Sequence, residues 1–299
     1  MISIDFSGKV ALVTGVGDNE SFAWTISKAL QAAGAKLVWA VHPRMIRIVE
    51  GFLSGQAAED IKARILPFGA GTLSVDKLLP CDVSYDTMAD VPEAIRGDRR
   101  YTRVEEQYKD YSIAGLMKAV GDGYGRIDSL IHSVAFSSEI KQVALEVSRA
   151  AYLNAISISA YSLTGLCRAA LPLMEGREEM ASVVGLTYLA GVRVVPHYGG
   201  GMGTAKAALE IDTKQLAFHL GRRGVRVNAI SAGPYASRAA KAIGKIDEMI
   251  DYAAQRSPIP RGITADEVAN ACVYLCSPLA SAVTGTVLYV DNGYNVMGL

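Results

Sequence analysis

The order of segments along the chain predicts a single α/β domain, a doubly wound parallel sheet with helices on both faces. Two observations carry this prediction. Short apolar runs alternate with stretches of helical periodicity from end to end, and glycine-containing turns separate many of them. The 299 residues, half of them hydrophobic, are enough to bury one large core. We expect right-handed crossovers between the parallel strands.

Seven short apolar runs predict the strands of this sheet, and four longer segments predict helices between them. The first helix should stop at Gly34, a residue that commonly ends helices. The strands are expected at 10–14, 36–41, 78–81, 129–134, 182–188, 225–231 and 287–290. The helices are expected at 24–33, 143–171, 203–220 and 265–275.

One segment interrupts the alternation of strands and helices. Residues 56–111 are rich in charge, glycine, proline and tyrosine. Apart from the strand at 78–81, they predict an inserted loop around 98–111, within a loop region around 85–111. Two roles stay open for this region, because long loops in compact domains are often functional. It is either a solvated decoration of the surface or a segment that contacts the substrate.

Composition narrows the classes of partner and cofactor. The 30 basic and 30 acidic residues cancel, so nothing indicates a nucleic-acid partner or an anionic membrane surface. No apolar run is long enough to span a bilayer.

The spacing of the cysteines fits neither a zinc motif nor a disulfide framework, so we expect buried thiols and no metal. We find no secretory signal and expect a cytoplasmic protein, or a stromal one in a cell with plastids. The cysteines are Cys81, Cys167, Cys272 and Cys276.

The turn after the first predicted strand resembles a dinucleotide-binding loop. Gly15 and Gly17 would let the backbone approach a pyrophosphate that lies at the helix N-terminus. Ser21 offers a hydroxyl that can cap the helix or bind a phosphate oxygen. Glu20 stands where the third glycine of the fingerprint would fall, so a plain strand–helix turn remains the alternative. Asp18 and Glu20 are expected to point outward, since they would repel a pyrophosphate.

Other strand ends supply further candidate cofactor contacts. After the second strand no acidic residue is present to bind a ribose diol, whereas Arg44 would suit a 2′-phosphate, so NAD(H) and NADP(H) both stay open. His42 is expected to stack on adenine, and Asp82 to accept the adenine amino group. His132, inside an apolar strand, is expected to be a hydrogen-bonded core residue. The remaining candidates are Phe22, Val83, Ser133, Ala135 and Thr187.

The most informative stretch lies between residues 185 and 209. Tyr188 ends the fifth predicted strand, Tyr198 follows ten residues later, and Lys206 enters the next helix. A tyrosine hydroxyl can stabilise an oxyanion or donate a proton, and a lysine can hold a ribose diol. We therefore expect these three residues to be catalytic. The alternative is a core aromatic at a strand end, a loop tyrosine and a solvated lysine.

This spacing makes the chain similar to the enoyl-acyl-carrier-protein reductases of the short-chain dehydrogenase/reductase superfamily. In that superfamily the common spacing is Tyr-x3-Lys, whereas here seven residues separate Tyr198 from Lys206. The run Tyr-Gly-Gly-Gly-Met at 198–202, with 226–234 and 289–293, resembles the plant, apicomplexan and chlamydial branch. The resemblance covers nearly the whole chain, and it implies one Rossmann-type domain over residues 1–299.

The resemblance implies an activity and a set of residue roles. The expected activity is reduction of the trans-2 double bond of enoyl-acyl-carrier-protein thioesters in fatty-acid synthesis, with NADH favoured over NADPH. Tyr198 would bond the thioester carbonyl and the enolate, Tyr188 would line the acyl pocket, and Lys206 would bind the nicotinamide ribose. Residues 236–250 would form a mobile substrate-binding segment. The residues expected near the carboxamide and the phosphates are Pro234, Tyr235 and Ser237.

The resemblance also implies the partners, a homotetramer and an acyl carrier protein. Arg238, Lys241 and Lys245 would lie on one face if this stretch is helical, and an acidic carrier protein would dock there. The alternative is an ordinary solvated face. Two other functions stay open: a short-chain carbonyl or β-ketoacyl reductase, and a non-catalytic nucleotide-binding protein. The segment 132–139 and the absence of tryptophan at His42 depart from the family pattern, and both lie in the cofactor half.

Overall fold

The computed structural model describes residues 4–298, and all seven predicted strands form one sheet. The strands are β1 (Val10–Thr14), β2 (Lys36–Val41), β3 (Lys77–Pro80), β4 (Ser129–His132), β5 (Ala181–Thr187), β6 (Val225–Ala232) and β7 (Val287–Val290). Every pairing is parallel, and the order is β3-β2-β1-β4-β5-β6-β7. The predicted α/β fold is therefore confirmed. The strand order reverses direction between β1 and β4, which is where such sheets open a crevice for a nucleotide.

Helices follow most of the strands. They are α1 (Phe22–Ala32), α2 (Ile46–Ser54), α3 (Ala58–Arg64), α4 (Glu93–Arg96), α5 (Arg99–Tyr108), α6 (Ile113–Tyr124), α7 (Arg149–Ile156), α8 (Ser162–Met174), α9 (Met202–Gly221), α10 (Arg238–Lys241), α11 (Ile246–Arg256) and α12 (Ala265–Cys276). Over residues 4–298, none of the helices combines the length and apolarity needed to cross a bilayer.

The sheet has a buried core on each face, because successive strand side chains point to opposite sides. In β1, Val13 faces the cluster formed with α1 and α12, whereas Leu12 faces the cluster formed with α6, α8 and α9. Both side chains are completely buried. This two-sided burial explains why the strands are continuous apolar runs. The four cysteines are also buried, as predicted.

The helix expected at 143–171 begins later and is interrupted. Ser148 caps α7, and its hydroxyl accepts a hydrogen bond from the backbone N–H of Ala151. The Glu139 carboxylate fixes this cap by accepting from both the backbone N–H and the hydroxyl of Ser148, at 2.7 and 2.8 Å. A π-helical turn at Ser157–Tyr161 then separates α7 from α8. The apolar periodicity of 143–147 was thus overridden by a strong N-cap.

The inserted region around 85–111 is not a loop, and this part of the prediction was wrong. It contains α4 and α5, and Asp98 caps α5 by accepting from the backbone N–H of Arg100. Tyr101 and Val104, three residues apart on α5, are buried against the sheet core together with Tyr111. The rest of α5 is polar, so its buried stripe is too narrow to stand out as a helical pattern. The region is neither irregular nor a purely solvated decoration.

Candidate active site

The predicted site residues gather at one edge of the sheet. All strands are parallel, so their carboxyl ends meet there, on both sides of the β1–β4 crevice. The residues that follow these ends are Gly15, His42, Asp82, Ser133, Tyr188 and Pro234.

The turn after β1 requires a glycine at position 15. Gly15 has a φ of +81°, and a Cβ there would lie 2.0 Å from the carbonyl oxygen of Ser133. Its missing side chain therefore lets the β1 turn and the β4 turn close on each other. Gly17 is different, because the nearest atom to an added Cβ is Met45 Cε at 3.8 Å. Packing within the protein does not require glycine at 17.

The start of α1 is capped from within the same turn. Ser21 accepts a hydrogen bond from the backbone N–H of Trp24, as its predicted capping role requires, and its hydroxyl donates to the carbonyl of Asp18. Asp18 does not point outward as expected. It is buried and accepts from the backbone N–H of Glu20, and burial raises the pKa of its carboxyl group. Glu20 does point outward, and its carboxylate meets Lys241 Nζ at 2.9 Å.

The segment after β6 lies against this turn. The Phe22 and Tyr235 rings, both predicted cofactor contacts, are 5.0 Å apart between centroids. Ser237 accepts from the backbone N–H of Ala240, so its hydroxyl helps to start α10. The Lys241–Glu20 pair adds a polar link between the same two segments. The two predicted phosphate-side segments are therefore brought together, although they are more than 200 residues apart in sequence.

Asp82, which follows the end of β3, was expected to be an open hydrogen-bond acceptor for adenine, but its surroundings differ. Asp82 is only 4% exposed. Its carboxylate accepts from the Tyr101 hydroxyl at 2.6 Å and from the backbone N–H of Ser84 at 3.0 Å, and it lies 3.5 Å from His42 Nε2. Burial alone would raise the pKa of Asp82, but these partners outweigh it and hold the pKa well below its usual range. Tyr101 is a residue that the sequence analysis missed.

Two other predicted adenosine-side residues keep accessible surfaces. The His42 side chain is 41% exposed and lies edge-on to the Tyr101 ring, with centroids 5.8 Å apart. Its expected stacking on adenine stays a prediction. Ala135 is exposed just after β4, Ser133 is half-buried, and Val83 packs at the edge of the core.

Lys206 is buried rather than solvated. Its Nζ donates a hydrogen bond to the carbonyl of Leu186 at 2.8 Å, at the end of β5. Burial lowers the pKa of Lys206 to about 8, against the opposing attraction of Glu210. Glu210 lies one turn further along α9, is itself buried, and accepts from the Thr187 hydroxyl at 2.7 Å. Burial raises the pKa of Glu210, a second residue that sequence reasoning missed.

The two predicted tyrosines meet, although ten residues separate them. Their rings lie 5.0 Å apart between centroids at an interplanar angle of 65°. Burial raises the pKa of Tyr188 and of Tyr198, so both hydroxyls remain protonated at neutral pH. A protonated phenol in a partly buried site is a good hydrogen-bond donor to a developing oxyanion.

The glycine run at 199–201 seats this tyrosine pair against a neighbouring segment. A Cβ on Gly199 would lie 2.1 Å from the carbonyl oxygen of Gln142, and one on Gly200 would lie 2.4 Å from Ser137 Oγ. The backbone N–H of Gly200 donates to Gln142, and Ser137 donates to the carbonyl of Gly200. A Cβ on Gly201 would press on Tyr152 of α7 at 3.0 Å. The run of glycines was the only sequence signal for this contact.

His132 is a core residue, as predicted. It is completely buried, and its Nε2 lies 2.7 Å from the Ser162 hydroxyl. Burial, helped by the nearby charge of Lys206, lowers the pKa of His132 to about 3. The imidazole is therefore neutral throughout the physiological range.

The basic residues after β6 do not share one helical face. Helix α10 ends at Lys241, and Lys245 precedes α11 after a turn. Lys241 pairs with Glu20, and Lys245 pairs with Glu248 at 2.7 Å. Arg238 is exposed. The predicted continuous basic face was therefore wrong in its helical geometry, and two of its three charges have acidic partners.

The whole chain is similar to known proteins of one kind. A family model described as enoyl-(acyl carrier protein) reductase matches residues 103–295. The chain is 44% identical over 299 residues to the NADH enoyl-[acyl-carrier-protein] reductase 1 of rice chloroplasts, spanning all of this chain and 77% of that protein. It is similar to the crystal structure of the Plasmodium berghei enoyl-acyl-carrier-protein reductase with triclosan, with a TM-score of 0.88, 38% identity and coverage of 97% and 98% of the two chains. A Bacillus cereus enoyl-acyl carrier protein reductase solved with NADP+ and an indole naphthyridinone gives a TM-score of 0.77 at 34% identity, with both chains fully covered.

Proposed function

The chain belongs to the enoyl-[acyl-carrier-protein] reductase family, and from this premise we propose that Tyr198, Tyr188 and Lys206 form its reacting centre. The protein is an NADH-dependent reductase of the trans-2 double bond of enoyl-acyl-carrier-protein thioesters in fatty-acid synthesis. The observation that carries the residue assignment is the contact between the Tyr188 and Tyr198 rings, with buried Lys206 entering from α9.

The residues at the crevice fit a dinucleotide. Gly15 lets the turn after β1 close against the backbone of Ser133, and the capped N-terminus of α1 favours a pyrophosphate. Lys206 presents a buried ammonium group that suits a ribose diol. Pro234 and Tyr235 follow β6, where we assign them to the carboxamide end. When bound, NADH supplies a hydride to the β-carbon of the enoyl group.

Tyr198 acts where negative charge develops. As the β-carbon gains hydride, charge builds on the thioester oxygen, and the Tyr198 hydroxyl donates a hydrogen bond to it. One such donor is typically worth about 3 kcal/mol of the barrier. Tyr188 packs edge-on against Tyr198, holds the ring in place and lines the acyl pocket. Lys206, on α9, adds a positive charge that stabilises the developing negative charge. The hydrogen bond between Thr187 and Glu210 fixes the end of β5 beside it.

Replacing Tyr198 with phenylalanine tests this assignment. We expect Tyr198→Phe to lower kcat with a crotonyl thioester by about a hundredfold or more, while the Kd for NADH changes little. Tyr274→Phe is the matched control, because Tyr274 is a partly exposed tyrosine of α12, away from the site. Near wild-type turnover in Tyr198→Phe would refute the proposed role of its hydroxyl.

The same assay separates the alternative functions. A short-chain carbonyl reductase would turn over a β-ketoacyl thioester and leave an enoyl thioester unchanged. A non-catalytic nucleotide-binding protein would bind NADH and turn over neither. The paired tyrosines favour the enoyl reductase.

We also propose the partners and location that this function needs. The carrier protein would approach residues 236–250, which we regard as the mobile substrate-binding segment, with exposed Arg238 as a docking charge. A homotetramer is proposed from apolar side chains that remain exposed on α7 and α9.

The rice relative is chloroplastic by name; for this chain we propose the cytoplasm, or the stroma where the cell has plastids. Triclosan is expected to bind only when NAD+ is present, against Tyr198.

A further inference from the structure

The residues after β2 do not match the cofactor that the enzyme uses. Dinucleotide-binding sheets that select NADH usually place an acidic residue there to bind the ribose diol, whereas an arginine there accommodates the 2′-phosphate of NADPH. This chain has no acidic residue at 41–44 and does have Arg44. By that rule the site should prefer NADPH, although the enzyme is NADH-dependent.

Helix α5 supplies the missing carboxylate from elsewhere in the chain. Asp98, the N-cap of α5, lies 3.4 Å from Arg44 Nη2 through its Oδ2 atom. The same carboxylate accepts from Arg100 Nε at 3.0 Å and from Arg100 Nη2 at 2.8 Å. Arg44, the arginine that a phosphate would recruit, and its neighbour Arg100 are therefore already bound to one acidic group.

Tyr101 anchors this carboxylate beside the adenosine end of the crevice. Its hydroxyl bonds buried Asp82 and lies 3.1 Å from His42 Nε2, which fixes α5 against the ends of β2 and β3. The Arg44 guanidinium carbon also lies 5.5 Å from the centroid of the Tyr101 ring. Arg44 is thus held on two sides, by the Asp98 carboxylate at the N-cap of α5 and by the Tyr101 ring within α5.

We propose that Asp98 is the residue that makes this site selective for NADH, by holding Arg44 and Arg100 and by repelling a 2′-phosphate. Specificity often rests on such a repulsive element against the wrong ligand. A phosphate that entered beside Arg44 would have to displace Asp98 and remain close to its negative charge. NADH carries only a neutral 2′-hydroxyl at this position and meets no such penalty. The proposal rests on the proposed cofactor site, since it places the adenosine ribose near the end of β2.

Asp98→Asn tests the proposal while keeping the fold. Asparagine is as good an N-cap as aspartate, so α5 should still begin at Arg99. We expect the Kd for NADP+, measured by calorimetry, to fall about tenfold or more relative to wild type. The Kd for NAD+ should change less than about threefold, and kcat/KM for NADPH against NADH should shift in the same sense. Asp98→Ser, another good cap, should give the same shift if asparagine disturbs the site.

Two further variants define the cause. Adding Arg44→Ala to Asp98→Asn should cancel most of the gain for NADP+, because the released guanidinium makes the new contact. Asp122→Asn is the matched control, since Asp122 is an exposed carboxylate of α6 paired with Lys118. It should leave both Kd values unchanged. The gain in Asp98→Asn should also shrink at high salt, because exposed charges are screened.

Clear results would overturn the proposal. If NADP+ affinity did not rise in either Asp98 variant, or if NAD+ and NADP+ changed equally, Asp98 would not be the selective residue. Binding is measured without turnover, so this failure is distinct from failure of the proposed function. An absence of enoyl reduction by the wild-type enzyme with NADH would instead remove the function itself.

Discussion

At the scale of a single residue, burial sets the pH at which Lys206 loses the charge that we propose for catalysis. Its ammonium group is buried at the end of β5 and has a pKa of about 8, below its ordinary value of 10.5. The charge is therefore lost as pH rises through about 8, not above 10. The same shift makes the unfolded chain bind more protons between these two values, so the free energy of unfolding should rise with pH across this interval.

A pH profile of the free enzyme tests the role of this charge. If protonated Lys206 holds the ribose and stabilises the oxyanion, kcat/KM should fall on an alkaline limb with a pKa near 8. Arginine stays protonated over this range, so Lys206→Arg should move or remove the limb, even at a lower rate. An unchanged limb in a folded Lys206→Arg variant would assign the titration to another group.

At the scale of an element, the glycine run at 199–201, just before α9, positions the tyrosine pair. A Cβ at position 199 would strike a backbone oxygen of Gln142, which cannot move like the end of a flexible side chain. We expect Gly199→Ala to displace Tyr198, lower kcat/KM at least about tenfold and lower Tm. Gly221→Ala at the end of α9 is the control, since nothing lies within 4 Å of its added Cβ. It should keep full activity and gain at most about 1 kcal/mol of stability.

The inserted helix α5 should also contribute to stability through one hydroxyl. Tyr101→Phe removes the 2.6 Å hydrogen bond to the Asp82 carboxylate, which is almost completely buried. The cost should be about 1.5–3 kcal/mol in the free energy of unfolding, measured with urea. Tyr108→Phe, at the other end of α5, should cost much less. Equal costs would mean that the helix as a whole, not this bond, is sensitive to substitution.

At the scale of the whole molecule, exposed apolar side chains predict assembly. On α9, Ile211 is 51% and Phe218 is 73% exposed, and Leu153 on the adjoining α7 is 56% exposed. Large apolar side chains grouped on packed helices indicate an interface between subunits. Ile211→Asp should therefore lower the molar mass measured by light scattering. Phe68→Asp is the control, because Phe68 is 94% exposed on a different part of the surface. A mass that neither substitution changes would contradict this interface.

The sequence by itself determined the strands and the parallel sheet, and it pointed to the residues that we propose as catalytic. Each of these rests on a local signal: apolar runs for a sheet buried on both faces, a glycine turn after β1, and tyrosines at fixed spacing from Lys206. Only the tertiary structure decided that Asp98 reaches Arg44, that Tyr101 covers Asp82, and that Glu210 holds Thr187. The partners in these pairs are 19 to 54 residues apart and belong to different elements. Periodicity within one element shows which face is buried, but packing between elements decides which polar groups meet.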